Sequence, residues 1–449
     1  MVDRSEIAIL GAGFNSIYSC YRKLKDGKKV KLFLDGKKFG ASMNSIKWKD
    51  NTVDLGAHNL DLRTKIAKSF FSEILDDDLL ILKKPIFGSL SKNKVTNGIE
   101  FANFDNNPSY KLDDLIKSIM GKKNRYVVHN SLEEHLYKRF GDLLFPFFEQ
   151  QVKRFTSAKL SQLSKNSIFS LDFLSRIFFQ CDAKMEKYKL QSPLLDNAFA
   201  VSTSSKENKF LGLNAVSMEH GYPKGGLGTF CRRAEKYLLD NGAIIVPGEI
   251  KKINLKKHSI EIVDNNWNIH VTEKVFSGMP ARQTFQFFTD ISQLPYRFFG
   301  GTALQLFKID LKDHKKGISH DYLHDFNMTS DFFRASAIQI RAQKLKTGVI
   351  SVEIPYDPAK EKRDFSVNRD RIWRRLKEIG FAPEDSNYID HTVFSHDKTY
   401  VFPTVEESIF DDEIMKNLKE NKIYTCPSFL RGRSAFIHFF ENLNIENHL

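Results

Sequence analysis

The chain has 449 residues, of which 41% are hydrophobic and 12% aromatic. This length and composition predict a large core in two or three domains and exclude an intrinsically disordered protein. The formal net charge of +13 favours an anionic partner, such as a phosphorylated cofactor or substrate, a nucleic acid or an acidic membrane surface. Because the lysines are scattered in short runs, a well-solvated surface is the simpler interpretation.

The four cysteines are far apart, which predicts free thiols in a reducing compartment and no structural zinc site. The polar start and the absence of an apolar run of about 18–20 residues predict neither a signal peptide nor a membrane span, so a cytoplasmic location is expected. No metal site is predicted, since the stretch that contains His314, His320 and His324 is expected to be a loop.

The first elements alternate between strand and helix, which predicts an α/β unit at the N-terminus. Ile7–Leu10 is predicted as a strand, Asn15–Leu24 as a helix and Val30–Leu34 as a second strand. From about Leu112 to Phe179 the pattern is helical. Ser167–Phe179 is rich in Phe, Leu and Ile and is expected to be buried in the core, with a peripheral membrane contact as the alternative.

Later elements mix both types of structure. One helical apolar face is predicted to comprise Leu132, Leu136, Phe140, Leu143 and Leu144. The predicted strands are Ala243–Val246, Ala303–Ile309 and Gly348–Ile354, and the predicted helices are Gly226–Leu239 and Asp370–Ile379. A nucleotide-binding unit followed by helical and strand-rich insertions is typical of a discontinuous two-domain enzyme.

A glycine-rich turn joins the first strand to the first helix. The glycine at position 11 makes the turn, and the missing side chain at position 13 lets the backbone approach a pyrophosphate. The free N–H groups and the dipole of the helix then bind the phosphate charge. Serine replaces the third glycine of the GxGxxG motif. The predicted dinucleotide-binding residues are Gly11, Gly13, Phe14, Asn15 and Ser16.

An acidic residue follows the second strand. Asp35 comes roughly 20 residues after the glycine turn, where a carboxylate accepts hydrogen bonds from the adenosine ribose. A carboxylate disfavours a 2′-phosphate, so FAD or NAD is favoured over NADP.

The segment after this acid carries a family resemblance. Gly36 and a short spacer lead to Gly40, Ala41 and Ser42. This resembles flavin amine oxidases, protoporphyrinogen oxidases and UDP-galactopyranose mutases, in which an acid and a spacer precede Gly-Gly-Arg or Gly-Gly-Asn. Gly40 matches the first glycine of this pattern, whereas Ala41 and Ser42 differ from its second and third residues. The resemblance implies that these four residues contact FAD.

Further blocks follow in the family's order. Val53–His58 is similar to the strand near the flavin, Tyr222–Gly228 to a helix start, Ala243–Ile253 to the strand at the adenine end and Val275–Pro280 to the strand that leaves that unit. The resemblance implies cofactor contacts for Gly56, Ala57, His58, Ile250 and Met279, and a position near the flavin for Lys224. A core histidine and a solvated lysine are the alternatives for His58 and Lys224.

The C-terminal region adds two blocks. Thr399–Pro403, which includes Tyr400, is similar to the piece beside the family's substrate cavity, and Gly432 with Arg433 resembles the final flavin-binding element. A glycine lets the backbone approach the cofactor and an arginine binds phosphate oxygens; a surface turn is the alternative. Gln151–Phe155 is similar to a helical segment of the family that ends in Trp-Gly, but this Trp-Gly is missing here.

The resemblance implies the glutathione-reductase-like fold, an α/β class in which a Rossmann-like FAD-binding domain carries an inserted helical plus antiparallel-sheet substrate domain. Residues 1–62, 210–290 and 418–449 are predicted to form the FAD-binding domain. Residues 63–209 and 291–417 are predicted to form the substrate domain.

The implied function is an FAD-dependent oxidoreductase that acts on a polar, anionic small molecule, such as a phosphorylated or nucleotide-linked substrate. The implied catalytic residues are His58, Lys224, Tyr400 and Arg433. One alternative is a mutase that uses reduced flavin, with Arg282, Arg297, Arg341 and Arg433 available for a sugar nucleotide. Two others are a flavoprotein that acts on nucleic acid and a degenerate, non-catalytic member. The sequence predicts no oligomeric state.

Overall fold

A computed structural model describes the fold of most of the chain. The described residues are 3–56, 58–82, 86–105, 107, 109–121, 128–179, 181–201, 219–288, 295–312, 317–360, 364–426, 436–437 and 440–441. The predicted residues Ala57, Gly432 and Arg433 lie outside them.

The strands are β1 (Asp3–Leu10), β2 (Val30–Phe33), β3 (Ile46–Trp48), β4 (Asn51–Val53), β5 (Leu60–Asp61), β6 (Leu79–Leu82), β7 (Phe87–Ser91), β8 (Lys94–Asn97), β9 (Ala102–Asn103), β10 (Ile177–Phe178), β11 (His220–Pro223), β12 (Ile244–Val246), β13 (Ile250–Leu255), β14 (Ile260–Asp264), β15 (Ile269–Pro280), β16 (Arg297–Asp310), β17 (Tyr322–Asp325), β18 (Arg334–Ser336), β19 (Thr347–Tyr356), β20 (Tyr388–Pro403) and β21 (Ile423–Cys426). The helices are α1 (Phe14–Lys25), α2 (Lys65–Leu75), α3 (Leu112–Met120), α4 (Leu132–Lys153), α5 (Asp182–Gln191), α6 (Pro193–Ala198), α7 (Leu227–Asp240), α8 (Ala281–Phe285), α9 (Ile338–Gln343), α10 (Arg369–Glu378) and α11 (Val405–Glu420).

The first sheet has the order β12-β2-β1-β15-β14-β13, and β21 also pairs with β15. Strands β12, β2, β1, β15 and β21 are parallel. Leu10 lies between Phe33 and Ser277 in the register, so β1, β2 and β15 reach the same edge. The segments that follow these strands therefore meet there, as expected at the carboxyl edge of a doubly wound sheet.

Helices α1, α2 and α7 pack on one face of the first sheet around an aromatic core. Its centre is Phe14, whose ring lies 6.0 Å from Phe70 and Phe71 and 6.2 Å from Phe230, measured between centroids. β13, β14 and α11 contribute to the core of the opposite face. Helix α2 thus shares a core with β1, α1, β2 and α7. The predicted boundary between the FAD-binding and substrate domains, at residue 62, precedes this helix.

The second sheet has the order β20-β16-β19-β18-β17-β7-β8, and its pairs are antiparallel except for β17 with β7. Helix α10 packs on one face. A helical cluster that includes α3, α4 and Ser167–Phe179 forms a separate core. The predicted fold class, a Rossmann-like unit with a helical and antiparallel-sheet insertion, is confirmed, and so is the burial of Ser167–Phe179. Among the described residues, no helix is long and apolar enough to cross a membrane.

Helix α4 departs from the predicted apolar face. Leu132, Leu136, Phe140 and Leu144 are buried, whereas Leu143 is 37% exposed. The prediction for Leu143 is wrong because Gly141 interrupts the helix with a φ of 76°, which rotates the second segment relative to the first. A Cβ atom at Gly141 would overlap Ser118 of α3, so the glycine also allows the two helices to approach.

We predict that Gly141→Ala destabilises the protein by about 3 kcal/mol, since it adds backbone strain and overpacking to one site. Gly380→Ala is the matched control, because Gly380 also has a positive φ, of 68°, but open space around it. This control should cost about 1 kcal/mol. Urea denaturation measures both free energies of unfolding, and equal costs would contradict the prediction.

Candidate functional site

The glycine turn after β1 leaves the N-terminus of α1 open. Gly11 has a φ of 107°, and a Cβ atom there would lie 2.8 Å from Ser16 Oγ and 2.9 Å from Met279 Cγ. A Cβ atom at Gly13 would meet no atom within 4 Å. Gly13 is the N-cap of α1 without a side-chain hydrogen bond, and the first turn carries no acidic residue. The N–H groups of this turn can therefore donate hydrogen bonds to a bound anion.

The other predicted residues of this turn act through packing or through their backbone. Ser16 is buried and its Oγ donates to the carbonyl oxygen of Leu10 over 2.8 Å. Across the turn, a Cβ atom at Gly278 would overlap Ser16, so the close approach that a third glycine would permit is provided by the facing strand. The Phe14 ring points into the core. Asn15 lies in the first turn of the helix, and its carbonyl oxygen accepts a hydrogen bond from Ser19 Oγ over 2.7 Å.

The carboxylate of Asp35 is held at the same edge. Its Oδ1 accepts from the backbone N–H of Ile250 over 3.0 Å. Gly36 follows with a φ of 66° and packs against Glu249. Ile250 therefore contributes its backbone, while its side chain is buried in the core. This contact fixes the predicted ribose acceptor beside the start of β13.

The segment after Asp35 returns to the glycine turn. Gly40 donates its N–H to the Ala12 carbonyl oxygen over 2.8 Å and has a φ of 89°. A Cβ atom at Gly40 would overlap Cys231 of α7, so only glycine fits. Ala41 and Ser42 begin a short 3₁₀ helix and are exposed. The departures from the family pattern thus fall at solvent-accessible positions, whereas the structurally constrained position keeps its glycine.

Asp54 organises the region behind the site, and sequence reasoning assigned it no role. Its Oδ1 accepts from the Leu227 N–H over 3.0 Å and from Ser45 Oγ over 2.5 Å. Its Oδ2 accepts from the Tyr222 hydroxyl over 2.6 Å, and burial raises the pKa of that tyrosine. Asp54 thereby caps α7. It lies within the quoted Val53–His58 block, which was the available signal.

The segment from Gly56 onward leaves the strand and approaches the second sheet. The prediction of a continuing strand is wrong after Val53, because Gly56 turns with a φ of 115°. A Cβ atom at Gly56 would lie 3.6 Å from Glu353 Oε1 and 3.6 Å from His58 Nε2. His58 is half-buried, and its Nε2 lies 2.9 Å from the Leu55 carbonyl oxygen. The turn and His58 therefore lie at the junction of the two sheets.

The remaining predicted residues are more dispersed. Met279 is buried beside Gly11. Tyr400 is half-buried, and its ring lies 4.9 Å from that of Phe155 between centroids. Lys224 has an exposed side chain, and its N–H donates to the Asp78 carbonyl oxygen over 2.8 Å. Only Met279 of these three adjoins the glycine turn.

Two ion pairs line the junction and were missed from the sequence. Arg334 binds Glu353 with two hydrogen bonds of 2.7 and 2.8 Å. Burial lowers the pKa of Arg334, but the charge and hydrogen bonds of Glu353 together with the nearby Tyr400 and Tyr322 raise it by more, so the net shift is upward. Arg63 binds Asp61 in the same two-pronged way, over 2.9 and 2.7 Å. No local motif marks Arg334 and Glu353, because the pairing of two strands brings them together. Asp61 and Arg63 are two residues apart, but no motif marks them either.

The arginines that could serve a sugar nucleotide are engaged elsewhere. Arg282 and Arg297 both bind the buried Glu407. Arg341 donates to Asp321 Oδ1 over 2.9 Å. These contacts make the three arginines structural cations rather than available phosphate ligands.

Two residues of the histidine group, His320 and His324, lie in the described part of the chain. His320 Nε2 lies 2.7 Å from Asn97 Oδ1, and burial lowers the pKa of His320 to about 4. His314 lies outside the described residues. In the described part of the chain, no group of three His, Cys, Asp or Glu side chains could hold a metal ion.

Comparisons with solved structures find proteins of the same fold. A reduced UDP-galactopyranose mutase matches with a TM-score of 0.71 and 13% identity, over 99% of this chain and 94% of that one. A putrescine oxidase bound to putrescine matches with a TM-score of 0.61 and 9% identity, over 100% and 99%. Cyclohexylamine oxidase from Brevibacterium oxydans IH-35A matches with a TM-score of 0.57 and 12% identity, over 98% and 100%.

The chain shares the fold of these enzymes. The predicted resemblance to amine oxidases and UDP-galactopyranose mutases is thus confirmed at the level of fold. No protein-family model and no curated protein sequence matches the chain.

We predict that Asp54→Ala destabilises the protein by about 3 kcal/mol, because it leaves the Tyr222 hydroxyl and the Leu227 N–H buried without their acceptor. Asp240→Ala is the control: Asp240 is exposed at the end of α7, and among the described residues its ion-pair partner is Lys236. It should cost less than about 0.5 kcal/mol. Urea denaturation distinguishes the two, and a cost for Asp54→Ala as small as the control's would contradict its role as a hub.

Proposed function

We propose that the chain is a flavoprotein that binds FAD at the carboxyl edge of the first sheet and catalyses the oxidoreduction of a polar small molecule. The observation that carries the proposal is the open N-terminus of α1 at Gly13, together with the fixed carboxylate of Asp35 at the same edge. The shared fold supports it, since a UDP-galactopyranose mutase and two amine oxidases use this architecture.

The residues of the edge fit the cofactor. The N–H groups at the start of α1 would bind the pyrophosphate, because they face open space and no side chain caps them. Asp35 would accept the hydroxyls of the adenosine ribose. The hydrogen bond from the Gly40 N–H to the Ala12 carbonyl oxygen joins the two loops, and the positive φ of Gly11 and Gly40 allows the turns that this contact requires.

The junction with the second sheet would receive the flavin ring. FAD, when bound, supplies the acceptor for a hydride or an electron pair. His58 and Gly56 would lie beside the ring, and the Arg334–Glu353 pair behind them would fix the position of this turn. The assignment of further residues to the site stays a prediction; they are Lys224, Tyr400, Ala57, Gly432 and Arg433. The domain boundaries and the anionic character of the substrate also stay predictions.

A mutase that uses reduced flavin is the second candidate. The match to a reduced UDP-galactopyranose mutase, with a TM-score of 0.71, favours it. The structural use of Arg282, Arg297 and Arg341 weighs against a sugar-nucleotide site built on those arginines. An activity that requires reduced flavin and consumes no oxidant would favour the mutase.

We expect the purified protein to show the two absorption bands of bound flavin, and we expect Gly13→Leu to lose them. A Cβ atom at this position meets no atom within 4 Å, so the leucine side chain starts in open space in front of α1 and the fold should be retained. Visible absorption before and after incubation with FAD measures the occupancy.

Gly317→Leu is the matched control, because Gly317 is also surrounded by open space but is remote from the glycine turn in sequence. It should keep the flavin bands. The proposal is wrong if the wild-type protein is colourless and takes up no added FAD.

We also expect Asp35→Asn to weaken FAD binding by about tenfold, since a neutral acceptor replaces a charged one. Asparagine tolerates the positive φ of 51° at this position, so the loop should keep its shape. Fluorescence titration of the apoprotein with FAD measures the dissociation constant. An unchanged constant would remove Asp35 from the ribose site.

A further inference from the structure

A cleft of about 580 Å³ lies on the surface beside α10. Its walls are α10, the turn between β7 and β8, and the loop between β17 and β18. Small-molecule sites have volumes of roughly 300–1,000 Å³. The buried side chains of Phe332 and Ile372 form an apolar floor. The cleft therefore has room for a small ligand.

Hydrogen bonds join the walls of this cleft. Arg375 of α10 donates to Asn93 Oδ1 in the turn over 2.6 Å. The backbone N–H of Lys92, in the same turn, donates to Asn327 Oδ1 in the loop over 2.8 Å. The turn is thus tied both to the helix and to the loop, and these contacts set the spacing of the walls.

Cationic side chains outnumber carboxylates in the cleft. The described charged residues that line it are Lys92, Arg371, Arg374, Arg375, Asp331 and Glu378. Four positive and two negative groups give the lining a formal net charge of +2.

The two carboxylates each have an arginine partner. Asp331 binds Arg371 through two hydrogen bonds. Glu378 lies 3.6 Å from Arg375, measured between Oε2 and Nη1. These pairs compensate two of the four cations and leave the other two.

The uncompensated cations are Lys92 and Arg374, and both are exposed. Lys92 Nζ donates to Asn107 Oδ1 over 2.7 Å, but a neutral amide does not cancel its charge. In the described part of the chain, Arg374 makes no hydrogen bond or ion pair, so all of its donors are available to a ligand.

The charge of the cleft selects a dianion. A phosphate monoester carries about −1.5 to −2 charges at pH 7, which matches the two uncompensated cations. A carboxylate or a sulfate ester carries a single charge and would leave one cation without a partner. The planar guanidinium of Arg374 can also donate two parallel hydrogen bonds to phosphate oxygens.

The cleft and the predicted flavin turn lie on opposite faces of the second sheet. Trp373 of α10 shares a core with Val352 of β19. The next residue, Glu353, is directed toward Gly56, since successive residues of a strand point to opposite faces. The sheet therefore separates a ligand in the cleft from the flavin turn.

We propose that this cleft binds the phosphate monoester group of a small molecule, at a second site distinct from the flavin site. The proposal goes beyond the proposed function, because it requires neither flavin nor the edge of the first sheet.

The test is calorimetric titration of the full chain with phenyl phosphate and phenyl sulfate near pH 7. Both probes carry the same ring and a tetrahedral oxyanion, and they differ in charge. Phenyl phosphate should bind about fivefold more tightly, which is the effect of one further exposed ion pair.

Arg374→Gln and Lys92→Gln should each weaken the binding of phenyl phosphate about fivefold, because each removes one uncompensated charge. Arg374 is exposed and unpaired among the described residues, so its replacement should not disturb the fold. Arg369→Gln is the matched control. Arg369 is an exposed cation of the same helix, but it lies 3.7 Å from Asp370 and does not line the cleft, so the affinity should be unchanged.

Three results would overturn the proposal: no binding of phenyl phosphate, equal binding of the two probes, or an unchanged affinity in Arg374→Gln. A loss of binding in Gly13→Leu would also overturn it, because the phosphate would then be bound at the glycine turn. A single-stranded oligonucleotide that binds through Arg374 while phenyl phosphate does not would make the cleft a nucleic-acid surface and refute the small-molecule site.

Discussion

The site depends on the close approach of α1 to the ends of β1 and β15. Gly11 and Gly278 make this approach possible, because a side chain at either position would overlap Ser16. The helix therefore begins directly at the sheet edge, with its first N–H groups uncapped. Asp35 reaches the same edge from β2 and is fixed there by Ile250. One packing constraint thus places an anion site and a ribose acceptor together.

A second constraint connects this edge to the rest of the molecule. The buried carboxylate of Asp54 binds the start of α7, Ser45 and Tyr222, and so joins elements that are far apart in the chain. The turn at Gly56 follows immediately and brings the backbone to Glu353. The position of the junction between the sheets consequently depends on one fully paired buried charge, whose removal would leave several groups unsatisfied.

Several partly buried arginines of the chain are paired with carboxylates. Arg334, Arg63 and Arg341 each bind one carboxylate, whereas Arg282 and Arg297 share that of Glu407. Such pairs fix geometry more than they add stability, because desolvation offsets much of the attraction.

The sequence by itself determined the β1–α1–β2 unit, the glycine turn and Asp35, because these features depend on residues close in the chain and on the restricted φ of glycine. It failed at Leu143, since nothing local showed that Gly141 would adopt a positive φ against α3. Only the tertiary structure decided the role of Asp54 and the pairing of Arg334 with Glu353. Those contacts arise from the pairing of distant strands, and no pattern in the sequence specifies which strands become neighbours.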